Sequence, residues 1–397
     1  ISMRLYLYKT GRTLSPFGDA VGESLILNET LRAHQERLAG ELGLEIAETE
    51  DPAAIPDADF FLLYDHVFCS RRLARRFAEE ARKAGETRGL AIERCGFTAY
   101  TATLMDTVPV GEDALGYHFY YVKGGALGRE ALEAAPRTTL AIGEKVITPE
   151  NYEILGHEGV GDRPAITREG VAHVTHWSHL LTANQMGLAQ RFLDFDAGKL
   201  AFYLWRLLTA FPWGKHRILR RVSRIGRGCD IHPTARVEAS ILGDGVKVGP
   251  YCWIFGSVIG AGTKVDAQSS VVSSVIGERC VISFRTAVSV SVLYPRSMAS
   301  MPAMQLTVLG RQAVQLAYGL MMDVVDPFGR KQVGVKHEGK VVPSGQYFLG
   351  CALGHGATLG AGVWVRAGNE IPNGAFLVQD QADVFYAIPD SLPAHEP

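Results

Sequence analysis

Asp65 stands directly after an unbroken apolar run, Phe60-Phe61-Leu62-Leu63-Tyr64, in a chain of 397 residues. A hard carboxylate oxygen there suits Mg2+ beside a triphosphate; an Asp there also suits the cap of a following helix. Lys9 and Arg12 lie in a polar loop after the apolar stretch Leu5-Tyr6-Leu7-Tyr8, and their charges match those of phosphate groups. His173, His176 and His179 recur at a spacing of three. On one helix face they would resemble a metal cluster. The flanking sequence reads instead as a strand entering a helix, with Trp177, Leu180 and Leu181 closing a core, so these histidines are expected to be structural or substrate-lining. Asp323 and Asp326 form a further carboxylate pair with no partner evident in the sequence.

Elements must hold these groups in place. Leu5–Tyr8 and Phe60–Tyr64 read as strands, the second buried on both faces. Residues 28–42 carry Leu31, His34, Leu38 and Leu42 at helical spacing. A basic amphipathic helix is expected from Arg71 to Ala84, and strands at Leu90–Ile92 and Thr101–Leu104. Alternating strands and helices with a carboxylate at a strand's C-terminal end define an open α/β sheet, whose sites lie at that edge.

The second half has a different texture. Aliphatic residues at 225, 231, 237, 242, 248, 254, 259, 265, 271, 276, 282, 288 and 293 are spaced 6, 6 and 5 in rotation, a period of 17. Glycine is the compositional outlier, at 43 residues or about 11%, against a typical ~7%. Each step reads as a short flat strand and a tight corner, so the repeat builds a three-sided parallel β-helix. The pattern breaks at Tyr294-Pro295 and resumes near Phe348, with Leu353, Leu359, Val365, Ile371 and Leu377 six apart. Residues 294–347 are therefore expected to be an insertion that packs on the prism or reaches a neighbouring subunit. Cys229, Cys252 and Cys280 fall at small inward positions and read as packing residues.

Composition narrows the function. A net charge of −2, from 40 basic and 42 acidic residues, excludes a general nucleic-acid-binding polycation. No apolar run reaches the ~20 residues of a membrane-spanning helix. Six cysteines without a C-x-x-C pair, and a start without a signal-peptide core, lead to an expectation of a cytoplasmic protein with reduced thiols. The bridge from Lys199 to Arg236 carries nine basic residues and one acid and opens with the aromatic-rich segment 200–213. It reads as a helix packed between domains, with a membrane-surface contact through 200–224 as the other use of such a pattern.

Motifs such as Leu242-Gly243-Asp244-Gly245-Val246-Lys247-Val248-Gly249-Pro250 resemble the hexapeptide-repeat, left-handed β-helix family, and Ser257-Val258-Ile259-Gly260 and Ser274-Val275-Ile276-Gly277 look most like the tails of sugar-nucleotide pyrophosphorylases. The order of N-terminal elements resembles a reduced sugar-phosphate nucleotidyltransferase of that pyrophosphorylase family. The resemblance implies that Gly11 and Arg12 belong to a phosphate loop with Lys9 beside it, that Asp65 binds Mg2+, and that Lys145, in Ala141-Ile142-Gly143-Glu144-Lys145-Val146, contacts a sugar phosphate. The loop carries Tyr8-Lys9-Thr10 where that family has glycines.

The expected architecture is then an α/β nucleotidyltransferase-like domain at 1–198, a basic bridging helix at 199–224, a left-handed β-helix at 225–380 and a tail at 381–397. The expected function is nucleotidyl transfer between a nucleotide and a phosphorylated small molecule, with subunits assembled through the prism. One alternative is an acyltransferase of the hexapeptide type, in which His355, within Gly354-His355-Gly356, acts as general base. The other is a ligand-binding scaffold without catalysis.

Overall fold

A computed structural model of the chain describes residues 3–56, 58–147, 164–193, 201, 204–205, 214–326, 328 and 331–380. A mixed α/β domain comes first, and long parallel sheets of very short strands follow it as a left-handed parallel β-helix.

Apolar runs long enough to be covered on both sides make the centre of the first domain. Strand β1 is Arg4–Tyr8, β2 Glu45–Thr49 and β3 Asp59–Tyr64. Then come β4 at Val67–Cys69, β5 at Arg88–Glu93, β6 at Val108–Val110, β7 at Ala114–Lys123 and β8 at Arg137–Leu140. The main sheet runs β8-β5-β7-β3-β1-β2, with β6 paired to β7. β1 is parallel to both β2 and β3, whereas β7 runs antiparallel to β3 and β5. Phe60, Phe61, Leu62 and Leu63 are fully buried, and every residue of β7 except Lys123 is buried.

Helices cover the sheet because their caps and faces allow it. Helix α1 spans Leu31–Glu41, its Thr30 hydroxyl accepting from the Ala33 amide. Helix α2 spans Arg71–Ala84, capped by Ser70 and ended by Gly85 in the left-handed region; Leu73, Ala74, Phe77, Ala78 and Ala81 face the sheet. The expected strand at 101–104 is not formed. Gly96–Thr101 is a helix, α3, because Cys95 and Thr98 close a capping box and Phe97 is drawn into the core. A two-stranded hairpin follows, β9 at Glu144–Val146 with β10 at Ala165–Thr167. β11 at Val171–His173 pairs with β4, and α4 at Trp177–Leu193 completes the domain. Most of the segment 199–213 and the tail 381–397 lie outside the described residues, while Lys215–Arg221 forms α5.

The prism follows its period. Leu242, Ile259, Ile276 and Leu293 stack in parallel register, each at most 2% exposed. The corners need glycine: a Cβ on Gly260 would lie 2.5 Å from the backbone of Gly277 in the next coil, closer than packed atoms tolerate. The thiols of Cys252 and Cys280 are buried and donate to the carbonyls of Asp266 at 2.9 Å and Tyr294 at 3.2 Å, as expected of packing residues.

The break at Tyr294-Pro295 is not the start of an insertion. Coils continue through strands at Met298–Ala299, Ala303–Gln305, Val308–Leu309, Val314–Gln315 and Leu320–Met321. Their inward positions hold Ala299, Met304 and Gln315 rather than Val or Ile, and Val292 pairs with Val308, shortening the repeat to 16. The interruption is confined to 322–351. It contains a hairpin, Gly334–His337 with Lys340–Pro343, and buries Val333 and Val335 in the same core as the α/β domain. The strands then resume at Ala352–Leu353.

Ile276 is fully buried between Ile259 and Leu293. Ile276→Ala is expected to cost about 2–5 kcal/mol in denaturant unfolding, the range for deleting buried aliphatic carbons; a loss under ~0.5 kcal/mol would mean that the prism core is not where the register puts it.

Candidate functional site at the carboxyl edge of the central strands

β2 and β3 flank β1 on opposite sides, so the strand order reverses at β1. Crevices at such switch points, outside the carboxyl ends of the strands, are the ligand sites of open α/β sheets. Residues 9–12 leave β1 there, and Asp65-His66 leave β3. The Asp65 amide donates to the Tyr8 carbonyl at 3.0 Å, so the two loops are tied directly.

The turn after β3 is fixed on every side. Gln35, buried on α1, donates its amide to the carbonyls of Tyr64, Asp65 and Val67 at 3.1, 3.2 and 2.9 Å. The His66 carbonyl accepts from the Val174 amide at 2.7 Å. Asp65 accepts from Thr10 twice, from the amide at 2.9 Å and the hydroxyl at 2.7 Å. Burial pushes the Asp65 carboxyl up, but the His66 ring 3.6 Å away and the Thr10 donors outweigh it, and the net shift is downward. The group is therefore a carboxylate at neutral pH. It does not cap α2, a role that Ser70 fills.

The expected site residues divide into two groups. Lys9, Gly11, Arg12 and Asp65 come together at this edge. Arg12 pairs with Asp106, and Lys9 with Glu48, which also pairs with Arg32. Gly11 has a φ of +69° with open space where a side chain would sit. Lys145 is instead on the exposed hairpin β9–β10, and His355 is in the prism.

His355 Nδ1 accepts from the Arg311 amide at 2.8 Å, so its proton sits on Nε2, facing Asp19 at 3.0 Å. In this arrangement the ring offers no lone pair to a substrate. It joins the loop after β1 to the prism, together with Arg311–Asp19 at 2.8 Å and Asn373 Nδ2 donating to the Phe17 carbonyl at 2.7 Å. Asp323, whose carboxyl burial pushes up, lines a cavity, while Asp326 accepts from the Phe328 amide.

Three histidines share this edge, two of which are not singled out by sequence reasoning. His66, His118 and His173 are buried, and one ring nitrogen of each lies within 4.8 Å of the others. His118 comes from β7 and His173 from β11, where its register opposite Val67 sets it beside His66. The available signal for His118 is its position inside an otherwise apolar and aromatic run, Ala114–Val122. His176 and His179 stay apart from them. His176 faces Glu370 of the prism at 3.5 Å. His179 donates from Nε2 to the Thr103 carbonyl at 2.9 Å, and its Nδ1 accepts from the His176 amide at 3.2 Å in the turn entering α4.

A separate apolar cavity of about 540 Å3 opens between α3, β10, α4 and the prism, lined by Phe97, Ile166, Leu181, Met186 and Val290 among others. Among the described residues, no helix is long and apolar enough to cross a membrane.

Residues 214–298, covering α5 and the first coils, match the family described as GlmU-like, C-terminal hexapeptide. No curated protein matches the chain. The likeness thus rests on the prism and leaves the α/β domain to be read from its own geometry.

Burial drives the His179 pKa down to about 3, with the charge of His176 adding to it. Its unfolded value is ~6.5, so the unfolded chain binds the extra proton first as pH falls. Stability from this neutral ring is complete above pH ~6.5 and is lost below it, by up to ~1.4 kcal/mol per pH unit. Urea midpoints are expected to fall from pH 7 to pH 5, less steeply in His179→Asn; a flat profile would contradict the buried neutral ring.

Proposed function

We propose that the α/β domain binds a nucleotide and a phosphorylated small molecule at the carboxyl edge of β1 and β3, for nucleotidyl transfer of the pyrophosphorylase type. The observation that carries this reading is the placement of Lys9, Thr10, Gly11 and Arg12 beside the ionised Asp65 where the strand order reverses. Arg12 would exchange Asp106 for a phosphate, as paired cations do when a more charged partner arrives. The donor set suits Mg2+ shared with substrate phosphates rather than an all-protein cage: Asp65 supplies hard carboxylate oxygens, each with a lone pair left after the Thr10 bond. Mg2+ would supply charge neutralisation. The chain's own part is to bind, orient and exclude water, since phosphoryl chemistry asks mainly for positioning.

The prism is assigned to subunit assembly, supported by exposed Tyr251, Tyr318 and Trp364 on its surface. A reducing, cytoplasmic setting fits the six free thiols.

A second reading, acyl transfer, is favoured by the apolar cavity beside the prism, whose lining suits a hydrocarbon chain. Thermal-shift measurements separate the two, because a ligand at a hundredfold excess over its Kd stabilises the fold by ~2.7 kcal/mol. Nucleoside triphosphate with Mg2+ is expected to raise Tm in the wild type, less in Arg12→Ala and not at all in Asp65→Ala. A shift with acyl-CoA alone would favour the cavity, and no shift with either would leave a scaffold.

A further inference from the structure

We propose that His66, His118 and His173 form a binding site for a transition-metal ion of the Zn2+ class, distinct from any Mg2+ held at Asp65. The three rings come from separate elements: the turn after β3, the middle of β7 and the end of β11. Their relative exposures are 0%, 4% and 0%. His66 Nε2 lies 3.1 Å from His118 Nδ1, and the His118 ring stacks on His173 at 4.5 Å between centroids. Nitrogens bound tetrahedrally at 2.0–2.1 Å are about 3.4 Å apart, so the His66–His118 pair is near ligand spacing and the third ring nitrogen lies within 4.8 Å.

Two further observations point to a ligand. The β7–β5 register slips between Tyr117 and Tyr120, placing His118 in a bulge. Bulges re-aim single side chains and concentrate near functional sites. The hydrogen bonding is also incomplete. Besides the His66–His118 bond, His173 Nε2 accepts from the His118 amide at 3.1 Å, whereas His66 Nδ1 and His173 Nδ1 find no hydrogen-bond partner among the described residues. Unpaired imidazole nitrogens in a dry core are costly. A metal ion would take the His173 Nδ1 left unused here and replace the hydrogen bond between His66 Nε2 and His118 Nδ1.

The surroundings fit as well. Asp65 faces His66 Nδ1 at 3.6 Å, on the side of the ring away from His118. A carboxylate on that side favours the tautomer with the proton on Nδ1 and Nε2 free for a metal, the usual arrangement behind a ligating histidine. Burial holds all three rings neutral, burial being the largest cause for each, and this is the form that ligates. Three imidazoles select a borderline cation such as Zn2+ or Co2+ over Mg2+, which prefers oxygen. A set of three histidine ligands leaves a fourth position for water or an anion.

The test uses the full chain, expressed in zinc-supplemented medium and dialysed before metal analysis. About one equivalent of Zn2+ is expected in the wild type, with near-complete loss in His118→Ala and in His173→Ala. If those variants do not fold, Co2+ replacement in the wild type decides the matter without them. Intense visible d–d bands with imidazole ligation are expected, displaced by one equivalent of Zn2+. Sub-stoichiometric metal in a folded wild type, or equal metal in folded His118→Ala, would overturn the site. Neither readout involves nucleotide, so failure here is separable from failure of the transferase reading.

Discussion

A buried strand that ends in an Asp-His turn needs partners for its backbone and its carboxylate, and the α/β domain is organised around meeting that demand. Phe60–Tyr64 is covered on both faces, so the turn emerges inside the protein. Three carbonyls are taken by Gln35, the carboxylate by Thr10, and the backbone by Tyr8 and Val174. These partners come from several different elements. The same bonds that satisfy the turn therefore lock β1, α1, β3 and β11 into one edge. Orphaned buried groups cost about 1–3 kcal/mol each, and the concentration of partners here avoids that cost for the turn's backbone and carboxylate.

The prism and the α/β domain are joined by a second set of polar ties across a shared apolar core. Asp19 meets both His355 and Arg311, the Tyr294 hydroxyl accepts from the Leu25 amide at 2.9 Å, and Asn28 donates to the Ile276 carbonyl at 2.8 Å. Tyr294, Val308, Val333 and Val335 belong to the core of the first domain. The loop that leaves β1 toward the candidate site is thus anchored on the prism. This gives the β-helix a direct part in holding residues 9–24, beyond any role in assembly.

What is legible in the sequence depends on the range of the interaction. The coils from 225 to 293 are plain because inward positions repeat Ile, Leu and Val at fixed spacing. The next coils are hidden because Ala299, Met304 and Gln315 fill the same positions and one repeat is a residue short. Helix α2 is legible, since its apolar face is local, although its N-cap is Ser70 and not Asp65. Helix α3 is not, because its six residues leave no periodicity, and a capping box made with Cys95 is an unusual one. Asp65 is visible through the apolar run before it. The grouping of residues 66, 118 and 173 is invisible, because only strand register and a bulge bring them together. The Asp19–His355 contact spans 336 positions and no local pattern announces it.

The central claim is that the three buried rings behind Asp65 form a metal-binding centre and not ordinary core. Anomalous scattering at the zinc edge, from crystals of the full chain grown with Zn2+, addresses it most directly. A peak bonded to ring nitrogens of His66, His118 and His173 is the predicted result. A map with no peak among three well-ordered rings would contradict it.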